Sequence, residues 1–313
     1  MTLLVWLAAL PCLYWTQGAD SAPSLKAAGI ERLCVPSERA DPWREAGFSP
    51  VAIGEADLAV RDALLPPGIK ARADRASATR SPWVDANGWR FLRHPEGQYV
   101  YDDLPAGRAA LAAAEAYAYG ADAVLKIDPA DLESLGRMMT FLSQLPANEL
   151  PDVADLAVVD DGSGPLGEVL NLLVRRNLFF RIVKAPSPEF RVNVQLGTKE
   201  YPMKEAGEPS ALALKIRRQL TDEERTLRIF GSEAVIARLT GDAARLRVHL
   251  LNYGGRDIEG LRIRIRGERP DGELHVAGTG RVGLQERTVV DGGTEYTLPR
   301  LGPYGVVDVP PAK

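Results

Sequence analysis

The residues best suited to chemistry are carboxylates at the ends of apolar runs. Asp128 closes AVLKID (residues 123 to 128), Asp160 and Asp161 follow the run that starts at Leu156, Asp85 lies within an aromatic segment and Asp102 follows it. Barrel and open α/β sites form where the C-terminal ends of parallel strands meet the next loops. A pair of carboxyl groups there, one protonated and one ionised, can cleave a glycosidic bond. Asp85, Asp102, Asp128 and Asp160 are therefore the catalytic candidates. Each has a competing structural use. Asp128 precedes Pro129 as a helix N-cap should, and Asp161 or Ser163 could cap a helix that begins near Pro165.

A second group suits binding rather than catalysis. Trp83, Asp85, Trp89, Arg93, Tyr99 and Tyr101 crowd one segment, a mixture able to stack a sugar ring and hydrogen-bond its hydroxyls. The same composition also builds a hairpin packed on a core. DGSG (161 to 164), between an apolar run and a helical one, has the form of an anion cradle, yet it lacks both the Walker ending and the GxGxxG spacing. A tight connection is the simpler reading. Glu149 follows Asn148 between Pro146 and Pro151 and reads as linker, and Glu115 reads as a solvent-facing carboxylate on an alanine-rich helix. His94, His249 and His275 lie far apart with no metal-ligand spacing, so neither a metal nor a cofactor is expected. Arg262, Arg264 and Arg266 read as a solvated strand face, with an anionic-polymer site as the minority alternative.

These residues need a scaffold, and the hydrophobic pattern supplies one. From Ile30 to about Leu220 short apolar runs alternate with helical periods, the rhythm of a mostly parallel α/β sheet or a reduced barrel with flanking helices. Strands are expected at 30 to 36, 49 to 53 and 123 to 128, and helices at 42 to 47, 56 to 65 and through AGRAALAAAEAYAYG, which Gly120 stops. Trp83 to Tyr101 reads as strands and loops. Residues 156 to 183 read as strand, turn, amphipathic helix and strand, one βαβ crossover. Beyond about Thr226 the period falls from 3.6 to 2, with Leu246, Val248 and Leu250 alternating with Arg245, Arg247 and His249, which predicts an antiparallel β-sandwich.

At 45% hydrophobic and 26% charged, 313 residues are too apolar for disorder and long enough for two or three domains. Lys+Arg 38 against Asp+Glu 42 gives −4, no basic field for a nucleic acid. The apolar run Leu3 to Trp15 before Thr16, Gly18 and Ala19 reads as a cleaved secretory signal spanning 1–19, with a buried strand or helix as the alternative. Cleavage there would remove Cys12 and leave Cys34 unpaired. The expected domains are then 24–150 (barrel-like), 151–225 (α/β) and 226–313 (β-sandwich).

That order, with the phrases AGIERL, WREAGF, YAYGADAVLKID and LAVVDDGSG, resembles secreted bacterial glycoside hydrolases of the family 42 β-galactosidase type. In those a catalytic barrel precedes an amidotransferase-like domain and a small β domain. The resemblance implies a carbohydrate partner, and the expected leader implies a secreted or periplasmic location. No residue matches the family's acid and nucleophile in context, and the amidotransferase-like unit has no Cys nucleophile. The expected function is a carbohydrate-associated protein that is non-catalytic or weakly catalytic. The alternatives are an active hydrolase using the strand-end carboxylates and a structural module of the cell envelope. Neither a nucleic acid nor, after signal cleavage, a membrane is an expected partner, and the oligomeric state is left open.

Overall fold

The computed structural model describes residues 10–70, 83–146 and 150–312. The stretch Arg72 to Pro82, the Asn148-Glu149 dipeptide and the first nine residues of the expected leader lie outside it. In chain order come β1 (Cys12–Tyr14), α1 (Ala22–Ala27), β2 (Leu33–Pro36), α2 (Ala40–Glu45), β3 (Val51–Ile53), α3 (Glu55–Ala59), β4 (Asp62–Ala63) and β5 (Gly68–Lys70). Next are β6 (Trp83–Asp85), α4 (Gly88–Arg93), β7 (Gln98–Tyr101), α5 (Ala109–Tyr119), β8 (Asp122–Leu125) and α6 (Leu132–Gln144). Then follow β9 (Leu156–Val159), α7 (Gly164–Arg175), β10 (Phe180–Val183), β11 (Asn193–Val194) and α8 (Pro209–Gln219). The chain closes with β12 (Leu227–Phe230), β13 (Val235–Gly241), β14 (Leu246–Asn252), β15 (Ile258–Arg266), β16 (Glu273–Val276), β17 (Gly280–Gly283), β18 (Gln285–Val290), β19 (Gly293–Leu301) and β20 (Tyr304–Val309).

The contacts divide the chain into two units, residues 1–68 with 94–149 and residues 69–93 with 150–313. The first is built on a parallel sheet in the order β3-β2-β1-β8-β7-β4. Read around that order, consecutive strands are neighbours and the first strand pairs with the last. This is the cyclic arrangement of a parallel barrel, opened between β3 and β4, which form the two edges. The barrel-like reading therefore holds, with six strands in place of eight.

This sheet takes in part of the segment that the sequence reads as a leader. Residues 12 to 14, assigned by sequence to a cleaved signal, form its central strand, with Leu13 opposite Leu33 on one side and Leu125 on the other. Leu13 is fully buried and Trp15 nearly so. Cys12 is bonded to Cys34 across a sequence separation of 22, so the expected unpaired thiol is a disulfide. An apolar run ending in small residues is the shared signature of a leader and of a buried parallel strand, and here tertiary pairing uses it as a strand.

Strand alternation sorts the side chains of this sheet. Cys12, Tyr14, Cys34, Ile53, Val100 and Val124 cluster on one face with Leu58 of α3 packed against them. Tyr101 points to the other face, where its hydroxyl donates to Glu115 Oε2 of α5 at 2.5 Å. Glu115 is thus fully buried rather than solvent-facing, held by a hydrogen bond that offsets its desolvation. The alanines of α5 bring that helix close to the sheet, and Gly120 ends it in a left-handed conformation (φ 65°). Its first turn has no cap of its own; the buried Asp131 carboxylate accepts from the backbone N–H groups of Gly107, Arg108 and Ala109. Gly136 of α6 lets that helix press on the Ala28 carbonyl.

The second unit carries a parallel three-stranded sheet, β10-β9-β11, with α7 as the crossover between β9 and β10. Ser163 caps α7 by accepting from Leu166 N at 3.2 Å, and Pro165 sits in its first turn, as the sequence predicts. The stretch from Trp83 is not a hairpin: Gly88–Arg93 is helical and packs on α7. From Leu227 the chain forms the expected sandwich, two antiparallel sheets in the orders β12-β15-β19-β18 and β13-β14-β20-β16-β17. Their inner faces close one core that includes Ile263, Ile265, Val248, Leu250, Tyr296 and Val307. The arginine stripe is only partly solvated. Arg264 is buried and donates to the carbonyls of Asp222 and Asp291, while Arg262 is exposed.

Candidate functional site at the mouth of the open barrel

The period of 2 places Asp102 on the same face as Val100 and Lys126 on the same face as Val124, one step beyond the ends of β7 and β8. Both project from the inner face at the C-terminal ends of the strands, where parallel barrels build their sites. The Lys126 N–H donates to the Tyr101 carbonyl at 2.9 Å, which continues the ladder and fixes the pair's register. Lys126 Nζ forms an ion pair with the Asp102 carboxylate and lies 5.7 Å from the centroid of the Tyr14 ring. Tyr14, at the end of β1, completes a phenol, an ammonium and a carboxylate on neighbouring strands.

Burial pushes the Tyr14 phenol above its ordinary pKa of 10.0; Lys126 opposes the shift, while Glu38 and Glu55 reinforce it. Tyr14 therefore presents a protonated hydroxyl at neutral pH, a donor rather than a nucleophile. Arg39 fixes the rim beside it by donating to the Thr16 carbonyl. Such a mouth offers hydrogen-bond donors and acceptors within a few side chains of one another. Lys126, Tyr14, Glu38 and Glu55 were not singled out from sequence. The alternation in AVLKID was the available signal for Lys126; Tyr14 was hidden inside the supposed leader.

The other catalytic candidates are occupied by structure. Asp128 caps the turn at Pro129–Asp131 by accepting from Ala130 N at 2.9 Å. Asp85 accepts from Trp83 Nε1 at 2.9 Å and lies 4.0 Å from Lys70 Nζ. Asp160 receives Arg93 at 2.7 Å through Nη2 and the Gly162 N–H at 2.9 Å. Asp102 is the one member of the sequence-predicted set that belongs to the barrel mouth.

The aromatic candidates do not form one platform. The Arg175 guanidinium lies 3.9 Å from the Trp83 ring centroid, and Arg90 lies 4.6 Å from that of Trp89. A side chain added at Gly167 would meet Trp89 at 3.1 Å, so α7 and α4 are in close contact there. Tyr99 and Tyr101 belong to the other unit, both nearly fully buried, and Tyr99 donates to the His94 carbonyl at 2.7 Å. Among the described residues no group of three His, Cys, Asp or Glu side chains could hold a metal ion. No helix among them is long and apolar enough to cross a membrane.

No family model and no curated protein matches the sequence. Solved structures do. The chain is similar to an α-L-fucosidase, isoenzyme 2, from Paenibacillus thiaminolyticus, with 10% identity and a TM-score of 0.53 over 87% of this chain and 70% of that one. It also matches a catalytic mutant of a family 42 β-galactosidase from G. stearothermophilus at 8% identity and a TM-score of 0.36, over 80% of this chain and 53% of that one. The chain spans about half the length of that galactosidase. The fold is glycoside-hydrolase-like, an α/β body followed by a β-sandwich.

Proposed function

We propose that this protein binds carbohydrate outside the cytosol through the mouth of its open barrel, and that it turns glycosides over weakly or not at all. One observation carries the reading: the strand ends where parallel barrels build their sites hold Asp102 paired with Lys126. A carboxylate held by a neighbouring ammonium is a fixed acceptor for sugar hydroxyls. The likeness to a fucosidase supports a saccharide as the ligand class. The Cys12–Cys34 disulfide supports assembly in an oxidising compartment, with β1 retained in the folded protein. A glycan array probed with the full chain tests the binding. Signal that Lys126→Met or Tyr14→Phe abolishes supports it; an array with no bound saccharide removes it.

A hydrolase reading has one observation in its favour, the carboxylates of Glu38 and Glu55 acting on the Tyr14 phenol from the same rim. Turnover of nitrophenyl glycosides that Glu38→Gln or Glu55→Gln abolishes would establish it in place of the binding-only account.

A further inference from the structure

The outer face of the sheet β12-β15-β19-β18 carries a shallow, open groove of about 490 Å³. Its floor is a single cross-strand row. Phe230 stands opposite Arg262, Arg262 opposite Thr297, and Thr297 opposite Gln285, so one residue comes from each of the four strands. Adjacent strands lie about 4.8 Å apart, close to the spacing of successive pyranose rings in an extended chain. The row thus runs across the strands with one side chain for each sugar.

Two backbone irregularities flank it. Gly260 interrupts β15 at φ 65°, and a Cβ there would meet nothing within 4 Å, so that side of the row stays open. In β18 the ladder slips between Gln285 and Thr288, with Glu286 at φ 50°. A non-glycine residue in that region costs free energy and re-aims its side chain, a feature that concentrates at sites. Here it brings the Glu286 carboxylate to the Thr297 hydroxyl, which donates to it at 2.8 Å.

The chemistry of the floor selects its ligand. Arg262 lies 3.6 Å from Glu295, so with Glu286 the groove has no positive excess to attract a polyanion. Gln285 both donates and accepts, and Thr297, its proton given to Glu286, still accepts, which is what a sugar hydroxyl needs from its partners. Phe230 supplies an apolar ring at one end, backed by the Arg228 guanidinium 4.7 Å from its centroid.

We infer that this groove binds a neutral oligosaccharide laid across the strands of the sandwich, a surface separate from the barrel mouth. The inference shares its ligand class with the proposed function but rests on different residues, so the two can fail independently. Affinity electrophoresis of the full chain in gels containing xyloglucan, galactan, galactomannan or polygalacturonate tests it, with melting temperature as the folding control. The expected result is retardation by at least one of the three neutral polymers. It weakens roughly tenfold in Arg262→Ala/Gln285→Ala and in Gln285→Ala alone by a smaller factor, and persists in Lys126→Met. Both substituted positions are exposed. Retardation that the double variant leaves unchanged overturns the groove and, if Lys126→Met abolishes it, leaves the barrel mouth standing. Retardation by polygalacturonate only, removed by added salt, or by no polymer at all, also overturns it.

Discussion

Removing residues 1–19 decides whether the apolar N-terminal run is a dispensable leader or the central strand. The structure gives the magnitude. Leu13 is fully buried between two strands, and losing such a side chain costs about 2–5 kcal/mol. Trp15 is nearly as buried and is worth about 3–5 kcal/mol. The disulfide closes a loop set by its sequence separation of 22, for which chain-entropy arguments give about 3 kcal/mol. The lower bounds of these terms add to about 8 kcal/mol, comparable with the whole stability of ~5–15 kcal/mol of a typical domain. The truncated chain also leaves β2 and β8 with bare edges. The chain beginning at Asp20 is therefore expected to lose the cooperative unfolding of the barrel unit. Urea denaturation followed by circular dichroism, with amide exchange mapped to β2 and β8, measures it. A thiol assay adds a second readout, since Cys34 should become reactive. A truncated chain with unchanged midpoint and protected β2 and β8 amides would refute the assignment of β1.

Three further outcomes follow from particular contacts. His249 is buried between the Tyr304 hydroxyl at 2.6 Å and the Thr240 hydroxyl at 3.5 Å, and burial, with Arg238 and Arg247 adding to it, holds its pKa well below the ordinary 6.5. The unfolded chain binds a proton there that the folded chain refuses, so stability falls by about 1.4 kcal/mol per pH unit below pH 6.5 until the folded pKa is reached. Urea midpoints from pH 7.5 to 5 should show this slope, and His249→Gln should reduce it. In Gly136→Ala the new Cβ would lie 1.7 Å from the Ala28 carbonyl oxygen, so α6 must shift; a loss of about 1–3 kcal/mol or more is expected in thermal melts. Asp131→Ala strands the N–H groups that open α5 and should cost about 3–5 kcal/mol, with Asp131→Asn recovering part of it, again by urea midpoint.

The elements that were legible in the sequence are those whose local pattern and tertiary use agree. The alternation in β14 and β15, the Ser163 and Asp128 caps, the alanine-rich α5 and the β9-α7-β10 crossover read directly because periodicity and turn chemistry point to one answer. β1 did not, because its composition serves equally for export and for a central parallel strand. α4 did not, because a six-residue helix has little intrinsic stability and forms by packing both Phe91 and Trp89 against neighbours. The site was half legible. Asp102 was named among the catalytic carboxylates from its place beside the aromatic segment, but its partner Lys126 and the Tyr14 phenol become visible only once β1, β7 and β8 are known to be adjacent. Arg264 shows the opposite limit: alternation placed it on the outer face, and loop carbonyls then covered it.

The central claim is that the barrel mouth recognises a saccharide through Tyr14, Asp102 and Lys126. Isothermal titration of the full chain with a ligand selected on the glycan array, compared with Lys126→Met and Tyr14→Phe of unchanged melting temperature, tests it most directly. The account predicts a saturable isotherm that each variant weakens by roughly tenfold or more. An isotherm identical in wild type and both variants would contradict it.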